Sequence, residues 1–270
     1  MRLFRSFILL LLALAAMTLS STSFAQVAVG VPITIAPPAL PVYAQPPIPG
    51  PGYIWTPGYW AYGPYGYFWV PGTWVVPPVA GVLWTPGYWG WIGGVYVWHA
   101  GYWGPHIGYY GGINYGFGYV GTGYLGGYWA HGVFNYNTAV NNIHNVNITN
   151  TYNTTVVKNT TVTNVSYNGG TGGTTTQPTV QEQAVARGQH TPPTALQLQH
   201  EHAASTNHAL LASVNHGRPM IAATSKPGVF SGRGITAAKG ANRNGPHPGQ
   251  QHAHPPAHDG QPGRKEAPHE

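Results

Sequence analysis

The chain has 270 residues, a formal net charge of +6 and no cysteine, and only 6% of its residues are charged. We therefore expect no disulfide, no thiolate metal site, no cysteine nucleophile and no lipid anchor on an N-terminal cysteine. Between residues 26 and 181 the single formally charged side chain is Lys158. Basic residues are thinly spread over the last third of the chain, which excludes the dense patch of a nucleic-acid-binding protein.

Residues 1–25 are predicted to be a secretory signal peptide. Arg2 and Arg5 precede an apolar run over residues 7–17, and Ser23 and Ala25 supply the small residues of a cleavage site. The run is too short to span ~30 Å of hydrocarbon, so cleavage is expected rather than anchoring. No transmembrane segment is expected after cleavage, and the protein is predicted to reach the periplasm, the outer-membrane surface or the exterior.

Four regions follow the signal peptide. Residues 26–52 are rich in proline and predict an extended linker. Residues 53–133 form a Trp/Tyr/Gly repeat module, and residues 134–176 form an Asn/Thr-rich β tract. Residues 177–270 are polar and are predicted to be partly helical, then disordered, ending in a His-rich basic tail.

The strongest signal is a tandem array of four W-x-x-G-x-W units, whose first tryptophans stand at positions 55, 69, 84 and 98. The twelve repeat-signature residues are Trp55, Gly58, Trp60, Trp69, Gly72, Trp74, Trp84, Gly87, Trp89, Trp98, Gly101 and Trp103.

The spacing of the units predicts two β-hairpins. Symmetry about Pro64-Tyr65 places Trp60 opposite Trp69 and Trp55 opposite Trp74, because a proline suits the second position of a type I turn.

Symmetry about Gly93-Gly94 does the same for the second pair of units, because both positions of a tight hairpin turn need positive φ. Trp89 is then opposite Trp98, and Trp84 is opposite Trp103. A bulge or kink at each Pro-Gly step is expected, because tryptophans five residues apart otherwise lie on opposite faces of a strand.

The rest of the chain gives weaker patterns. Residues 106–133 continue the aromatic-glycine composition, and added strands and a flexible loop are equally favoured. Residues 141–149 and 155–166 alternate polar and apolar side chains, which predicts two half-exposed strands.

One marginal helix is predicted after Pro192-Pro193, running from a Thr194 cap to a stop at Gly217. Its thin apolar face comprises Leu196, Ala203, Leu210 and Val214. Beyond about residue 228 the composition is typical of disorder.

The composition does not favour an enzyme. The aromatic and Asn/Thr-rich regions contain no Asp or Glu. They therefore lack the paired carboxylates of glycoside hydrolysis and an acid to orient a catalytic histidine. We predict no catalytic residue, no cofactor-binding residue and no cofactor.

Two ligand hypotheses remain beside a structural role. The histidines are candidates for weak Zn²⁺, Ni²⁺ or Cu²⁺ binding, but a polar tail is favoured and no metal site is predicted. They are His200, His202, His208 and His216, and in the tail His247, His252, His254, His258 and His269. Exposed Trp and Tyr rings are candidates for stacking on glycans, although a buried role in a small β core is favoured.

The four units resemble the YXWGXW, or WXXGXW, repeat of bacterial repeat-containing proteins. Val82 replaces the leading tyrosine in the third unit, and Ala100 replaces the proline in the fourth. The resemblance implies an exported bacterial protein and carries over no catalytic residue. Some members are envelope lipoproteins, and the missing cysteine makes that anchor inapplicable here.

Together these observations predict a mainly β fold: a small antiparallel β-hairpin module of Trp repeats, Asn/Thr-rich strands, one marginal helix and extensive disorder. The predicted function is that of an exported, non-enzymatic structural or interaction protein of the envelope. The alternatives are a glycan or cell-wall binding module and a weak metal binder. The predicted partners are other copies of the chain, envelope components or glycans, and not nucleic acid.

Overall fold

A computed structural model describes residues 32–143, 146–156 and 164–241. All the elements below belong to one compact unit that begins at Thr34. Within the described residues the chain is mainly β, with short strands and three short helices. The predicted signal peptide and the five tail histidines lie outside the described residues.

The first two repeat units form the first predicted hairpin. Its strands are β1 (Ile54–Thr56), β2 (Tyr59–Gly63), β3 (Gly66–Val70) and β4 (Gly72–Val75). The register is the predicted one, with Trp60 opposite Trp69 and Trp55 opposite Trp74.

The third and fourth units form the second hairpin in the same way. Its strands are β5 (Leu83–Thr85), β6 (Tyr88–Ile92), β7 (Val95–His99) and β8 (Tyr102–Gly104). Trp89 is opposite Trp98, and Trp84 is opposite Trp103, as predicted. Gly93 and Gly94 have φ of 59° and 92°, so the predicted positive-φ turn is confirmed.

Each hairpin arm is interrupted at its Pro-Gly or Ala-Gly step. No strand includes residues 57–58 or 86–87, and β3 and β4 are separated at Pro71. The register is nevertheless the same on both sides of each interruption. This kink, predicted from the five-residue spacing, allows both tryptophans of a unit to reach the interior.

The aromatic-glycine region adds strands and loops to the core. It contains β9 (Asn114–Gly116), β10 (Tyr119–Val120) and β11 (Gly127–Ala130), and β11 pairs with β12 (Val133–Asn137). Tyr119 is fully buried, and its hydroxyl donates to the carbonyl of Trp84 at 2.9 Å. Of the two alternatives, ordered strands are therefore correct for part of this region.

The two predicted Asn/Thr strands are wrong wherever the structure describes them. The strands present are β13 (Thr151–Tyr152), parallel to β12, and β14 (Tyr167–Asn168), parallel to β6. Residues 141–149 instead make local bonds, such as Ile143 N–H to Asn141 O at 3.1 Å. The Asn141 side chain also bonds locally, with Nδ2 donating to Asn137 O at 2.9 Å. Asparagine side chains offer the backbone such alternatives to a ladder. Residues 144–145 and 157–163 lie outside the described residues.

The proline-rich segment has no regular secondary structure over residues 34–52, but it lies against the rest of the fold. Leu40 N–H donates to Asn164 O at 2.7 Å, and Ile48 N–H donates to Asn142 O at 2.9 Å. Leu40 and Ile48 are buried. The segment predicted as a linker therefore contributes side chains to the core.

The C-terminal part contains α1 (Val180–Arg187), α2 (Ala195–Ser205), a 3₁₀ turn (His208–Leu210) and α3 (Ala212–Asn215). Thr194 caps α2 as predicted, but the helix ends at Ser205 rather than near residue 214. The predicted apolar face is wrong for Leu196, which is exposed, and right for Leu210, which is buried but lies in the 3₁₀ turn. Helix α2 itself buries His200 and Ala204.

Two short strands follow the helices. β15 (Ala223–Thr224) runs parallel to β4, and β16 (Ile235–Thr236) is antiparallel to β15. The prediction of disorder beyond residue 228 is therefore wrong as far as residue 241, because β16 pairs with β15, which in turn pairs with β4 of the first hairpin. None of the described helices is long and apolar enough to cross a membrane.

Candidate functional site

The repeat tryptophans are core residues rather than a displayed surface. Of the eight, only Trp98 is not buried, and it is half-exposed. Burial of rings of this size removes ~150–250 Å² each from water. The favoured prediction that the rings form a core is confirmed for seven of the eight.

Each hairpin stacks its tryptophans in two cross-strand pairs. The ring centroids are 5.2 Å apart in Trp55–Trp74 and 5.1 Å apart in Trp60–Trp69, both edge-to-face. Those of Trp84–Trp103 and Trp89–Trp98 are each 5.3 Å apart and tilted. These are favourable arrangements for aromatic quadrupoles.

The signature glycines have a role that the sequence did not reveal. A Cβ at Gly72 would lie 2.6 Å from Cζ2 of Trp55, and a Cβ at Gly101 would lie 2.5 Å from Cζ2 of Trp84. Gly58 and Gly87 are covered in the same way by Trp69 and Trp98. The first tryptophan of each unit thus packs on the glycine of the paired unit.

Buried indole N–H groups attach neighbouring segments to the hairpins. Trp74 Nε1 donates to Pro46 O at 2.9 Å, and Trp69 Nε1 donates to Ala222 O at 2.9 Å. Trp89 Nε1 donates to Trp60 O at 2.7 Å, which joins the two hairpins. These bonds explain why the proline-rich segment and the C-terminal strands are ordered.

The two hairpins and helix α2 enclose a cleft of about 260 Å³, hereafter the inter-hairpin cleft. The rings of Tyr59 and Trp98, one from each hairpin, stack at its boundary with centroids 5.1 Å apart and planes 18° apart. Trp84 and Tyr115 also line the cleft. Four Tyr and Trp rings thus line the cleft, together with prolines of the repeat units.

Helix α2 supplies the polar side of the inter-hairpin cleft. Glu201 Oε2 accepts a hydrogen bond from the Tyr59 hydroxyl at 3.0 Å. Burial, and then the Glu201 charge, raise the pKa of Tyr59 well above its ordinary value. Tyr59 therefore remains a neutral donor to this carboxylate.

His200, beside Glu201, is a structural residue. Its Nε2 lies 2.7 Å from Pro71 O, and its Nδ1 accepts from Gly228 N–H at 2.8 Å. Burial lowers the pKa of His200 to about 4, against a smaller opposing effect of the Pro71 carbonyl. The ring is thus neutral, with Nε2–H as donor, and joins α2 to the first hairpin.

The histidines considered as metal ligands do not form a site in the described part of the chain. His200 is buried while His202 is exposed, because positions two apart on a helix lie on different faces. No group of three His, Asp or Glu side chains among the described residues could hold a metal ion. The tail histidines are not covered by this finding.

Two further cavities, both open to solvent, lie elsewhere in the described fold. One, of about 590 Å³, is lined partly by Arg218 and Lys239. The other, of about 620 Å³, is lined partly by Tyr43 and Phe117. Arg218 and Lys239 are exposed, and Tyr43 and Phe117 are half-exposed. Neither cavity is built from the repeat signature.

The sequence did not single out Glu201 and Tyr59. Tyr59 is the variable position of its repeat unit, and Glu201 is on a helix whose buried face was not predicted. Their approach depends on α2 packing across both hairpins, a contact between residues 142 positions apart. The sequence indicated only that Glu201 lies within the helix that Thr194 caps.

Comparison with known proteins identifies the repeat. The family described as the WXXGXW repeat matches in two copies, at residues 50–75 and 80–103. Each copy covers one hairpin, so the family's repeating unit corresponds to a pair of W-x-x-G-x-W units. No curated protein and no solved structure matches the chain.

Proposed function

We propose that this WXXGXW-repeat protein is an exported, non-enzymatic interaction protein of the cell envelope, and that it binds through the inter-hairpin cleft. The observation that carries the proposal is the construction of this cleft. Repeat residues of both hairpins form it, and it contains Trp98, the one signature tryptophan that is not buried. The other seven support the scaffold.

The size and chemistry of the cleft support binding rather than catalysis. About 260 Å³ is below the ~300–1,000 Å³ typical of pockets for drug-sized ligands, which favours a small group or a single side chain. Within the described part of the chain Glu201 is its single acidic lining residue, and both ring nitrogens of the adjacent His200 are hydrogen-bonded. The described residues thus line it with neither a pair of carboxylates nor a free histidine base.

The binding part of the proposal is tested by ¹H–¹⁵N NMR of the mature protein. A panel of soluble peptidoglycan fragments, a neutral oligosaccharide and small organic amines is titrated in turn. The proposal predicts that at least one compound shifts the resonances of Tyr59, Trp98 and Glu201 while leaving the exposed turn residue Tyr65 unaffected. A panel in which no compound shifts the cleft would contradict it.

The export part rests on the basic start, apolar run and cleavage site of residues 1–25. Its test is fractionation of cells that produce the full chain with a C-terminal tag. The expected product begins at Gln26 and is found in the envelope or the medium. A matched Leu10→Arg variant, which interrupts the apolar run, is expected to remain uncleaved. An uncleaved wild-type protein in the cytoplasm would overturn this part.

A further inference from the structure

The inter-hairpin cleft has a distinct electrostatic character. Glu201 contributes a carboxylate to its lining, and no lysine or arginine among the described residues lines it. Glu201 and Glu182 are the only acidic residues in the described part of the chain, whose formal charge is otherwise positive. A carboxylate placed against aromatic walls with no cationic neighbour has no opposite charge to offset its partial loss of water.

The hydrogen bonds around the cleft also leave one oxygen of the Glu201 carboxylate open to a cation. The Tyr59 hydroxyl donates to one oxygen of Glu201, and the Tyr115 hydroxyl donates to Gly87 O at 2.7 Å. His200 uses its Nε2–H on Pro71. These three groups are therefore committed within the protein, whereas the second carboxylate oxygen of Glu201 has no hydrogen bond within the described residues.

The walls suit a positively charged ligand for an independent reason. Tyr59, Trp84 and Trp98 line the same small space. Aromatic rings attract an ammonium or guanidinium group through their quadrupole, most strongly for tryptophan. A neutral sugar would stack on the rings and donate hydroxyl hydrogen bonds to Glu201, but it would leave the carboxylate charge without a counter-ion.

We propose that the inter-hairpin cleft binds an organic ammonium group, with Glu201 as its counter-ion and the rings of Tyr59, Trp84 and Trp98 as its walls. This inference rests on the proposed role of the cleft as the binding site and names the class of its ligand. The tryptophans of the repeat then form both the scaffold and part of an aromatic cage.

The test compares two probes of the same shape, choline and its uncharged isostere 3,3-dimethylbutan-1-ol. Each is titrated into the mature protein while the NMR resonances of Tyr59, Trp98 and Glu201 are followed. Choline is expected to bind about tenfold or more tightly than the isostere, and its affinity is expected to fall as salt is added.

A matched pair of variants assigns the charge to one residue. Glu201→Gln is expected to reduce choline affinity about tenfold to the level of the isostere. Glu182→Gln is the control, because Glu182 lies outside the cleft in the capping box of α1. Gln197 holds the equivalent capping-box position in α2, which shows that a glutamine can cap there. The Glu182→Gln variant is therefore expected to keep α1 capped.

Equal affinity for the two probes would overturn the ammonium proposal while leaving the cleft as a binding site. Absence of any shift with choline would overturn it as well, and so would full binding by a folded Glu201→Gln variant. If that variant does not fold, the comparison of the two probes on the wild-type protein still decides the question. The separate ligand panel decides whether the cleft binds at all.

Discussion

Trp55 covers Gly72 across the first hairpin: a Cβ on Gly72 would lie 2.6 Å from Cζ2 of the indole ring. Gly72 N–H also donates to Ala222 O at 3.2 Å, so its backbone is held between a ring and a neighbouring strand. The spacing of Trp and Gly in the motif is thus explained by a contact between paired strands. The glycine of one unit is required by the tryptophan of its partner unit.

Gly72→Ala is expected to destabilise the fold by about 1–3 kcal/mol, because the new methyl group overpacks a rigid aromatic contact. The measurement is the free energy of unfolding in denaturant. Gly50→Ala is the control, since a Cβ at Gly50 has no atom within 4 Å. Equal stabilities of the two variants would contradict the close packing of Trp55 on Gly72.

Trp55 and Trp74 provide a second comparison, because they are cross-strand partners and both fully buried. Trp74 Nε1 donates to Pro46 O, whereas Trp55 Nε1 has no partner in the described residues. Trp74→Phe leaves a buried carbonyl unpaired, and Trp55→Phe removes an unpaired donor. Trp74→Phe is expected to cost about 1–3 kcal/mol more in unfolding free energy. Similar costs would contradict this account of the indole bonds.

The turn between β11 and β12 predicts a stabilising substitution. His131 and Gly132 have φ of 50° and 76°, and His131 is exposed. Asn-Gly is a preferred pair for such a turn, so His131→Asn is expected to raise the unfolding free energy by up to ~1 kcal/mol. His106→Asn, at an exposed site without positive φ, is the control and is expected to have almost no effect. A destabilised His131→Asn variant would count against the assigned turn.

His200 predicts a specific pH dependence of stability. Burial lowers its pKa in the folded state to about 4, whereas an unfolded histidine titrates near pH ~6.5. The unfolded chain therefore binds the proton first as the pH falls. The stabilisation is complete above pH ~6.5 and decreases toward pH 4, by about 3 kcal/mol.

The measurement is denaturant unfolding at a series of pH values between 7 and 4. His200→Gln is expected to reduce the slope of stability against pH in this window, and to be less stable than the wild type at pH 7. His202→Gln, an exposed substitution on the same helix, is expected to leave the slope in place. An unchanged slope in His200→Gln would refute a buried neutral His200.

Local rules predicted the hairpins but not the cleft. Turn chemistry at Gly93-Gly94 and the mirrored positions of the tryptophans determine the register, so both could be read from neighbouring residues. The strand at residues 223–224 was missed because its partner, β4, lies about 150 residues earlier in the chain.

In helix α2, too, local sequence patterns predict where the element begins but not how it packs. Its Thr194 cap is a local signal and was predicted, whereas its buried face depends on the Pro71 carbonyl that receives His200. Hydrophobicity alone predicts that Leu196 is buried. The helix instead buries His200, whose two ring nitrogens are both hydrogen-bonded. The position of Glu201 beside Tyr59 follows from that packing and from no local pattern.

The contact that defines the inter-hairpin cleft is the stacking of Tyr59 on Trp98, and it provides the most direct test of the proposed binding site. The measurement is a NOESY spectrum of the mature protein with assigned aromatic resonances. The structure predicts NOEs between the Tyr59 and Trp98 rings, whose centroids are 5.1 Å apart, together with the in-hairpin NOEs of Trp60–Trp69 and Trp89–Trp98. In-hairpin NOEs without any between Tyr59 and Trp98 would show that the hairpins do not meet at this boundary, and would contradict the cleft.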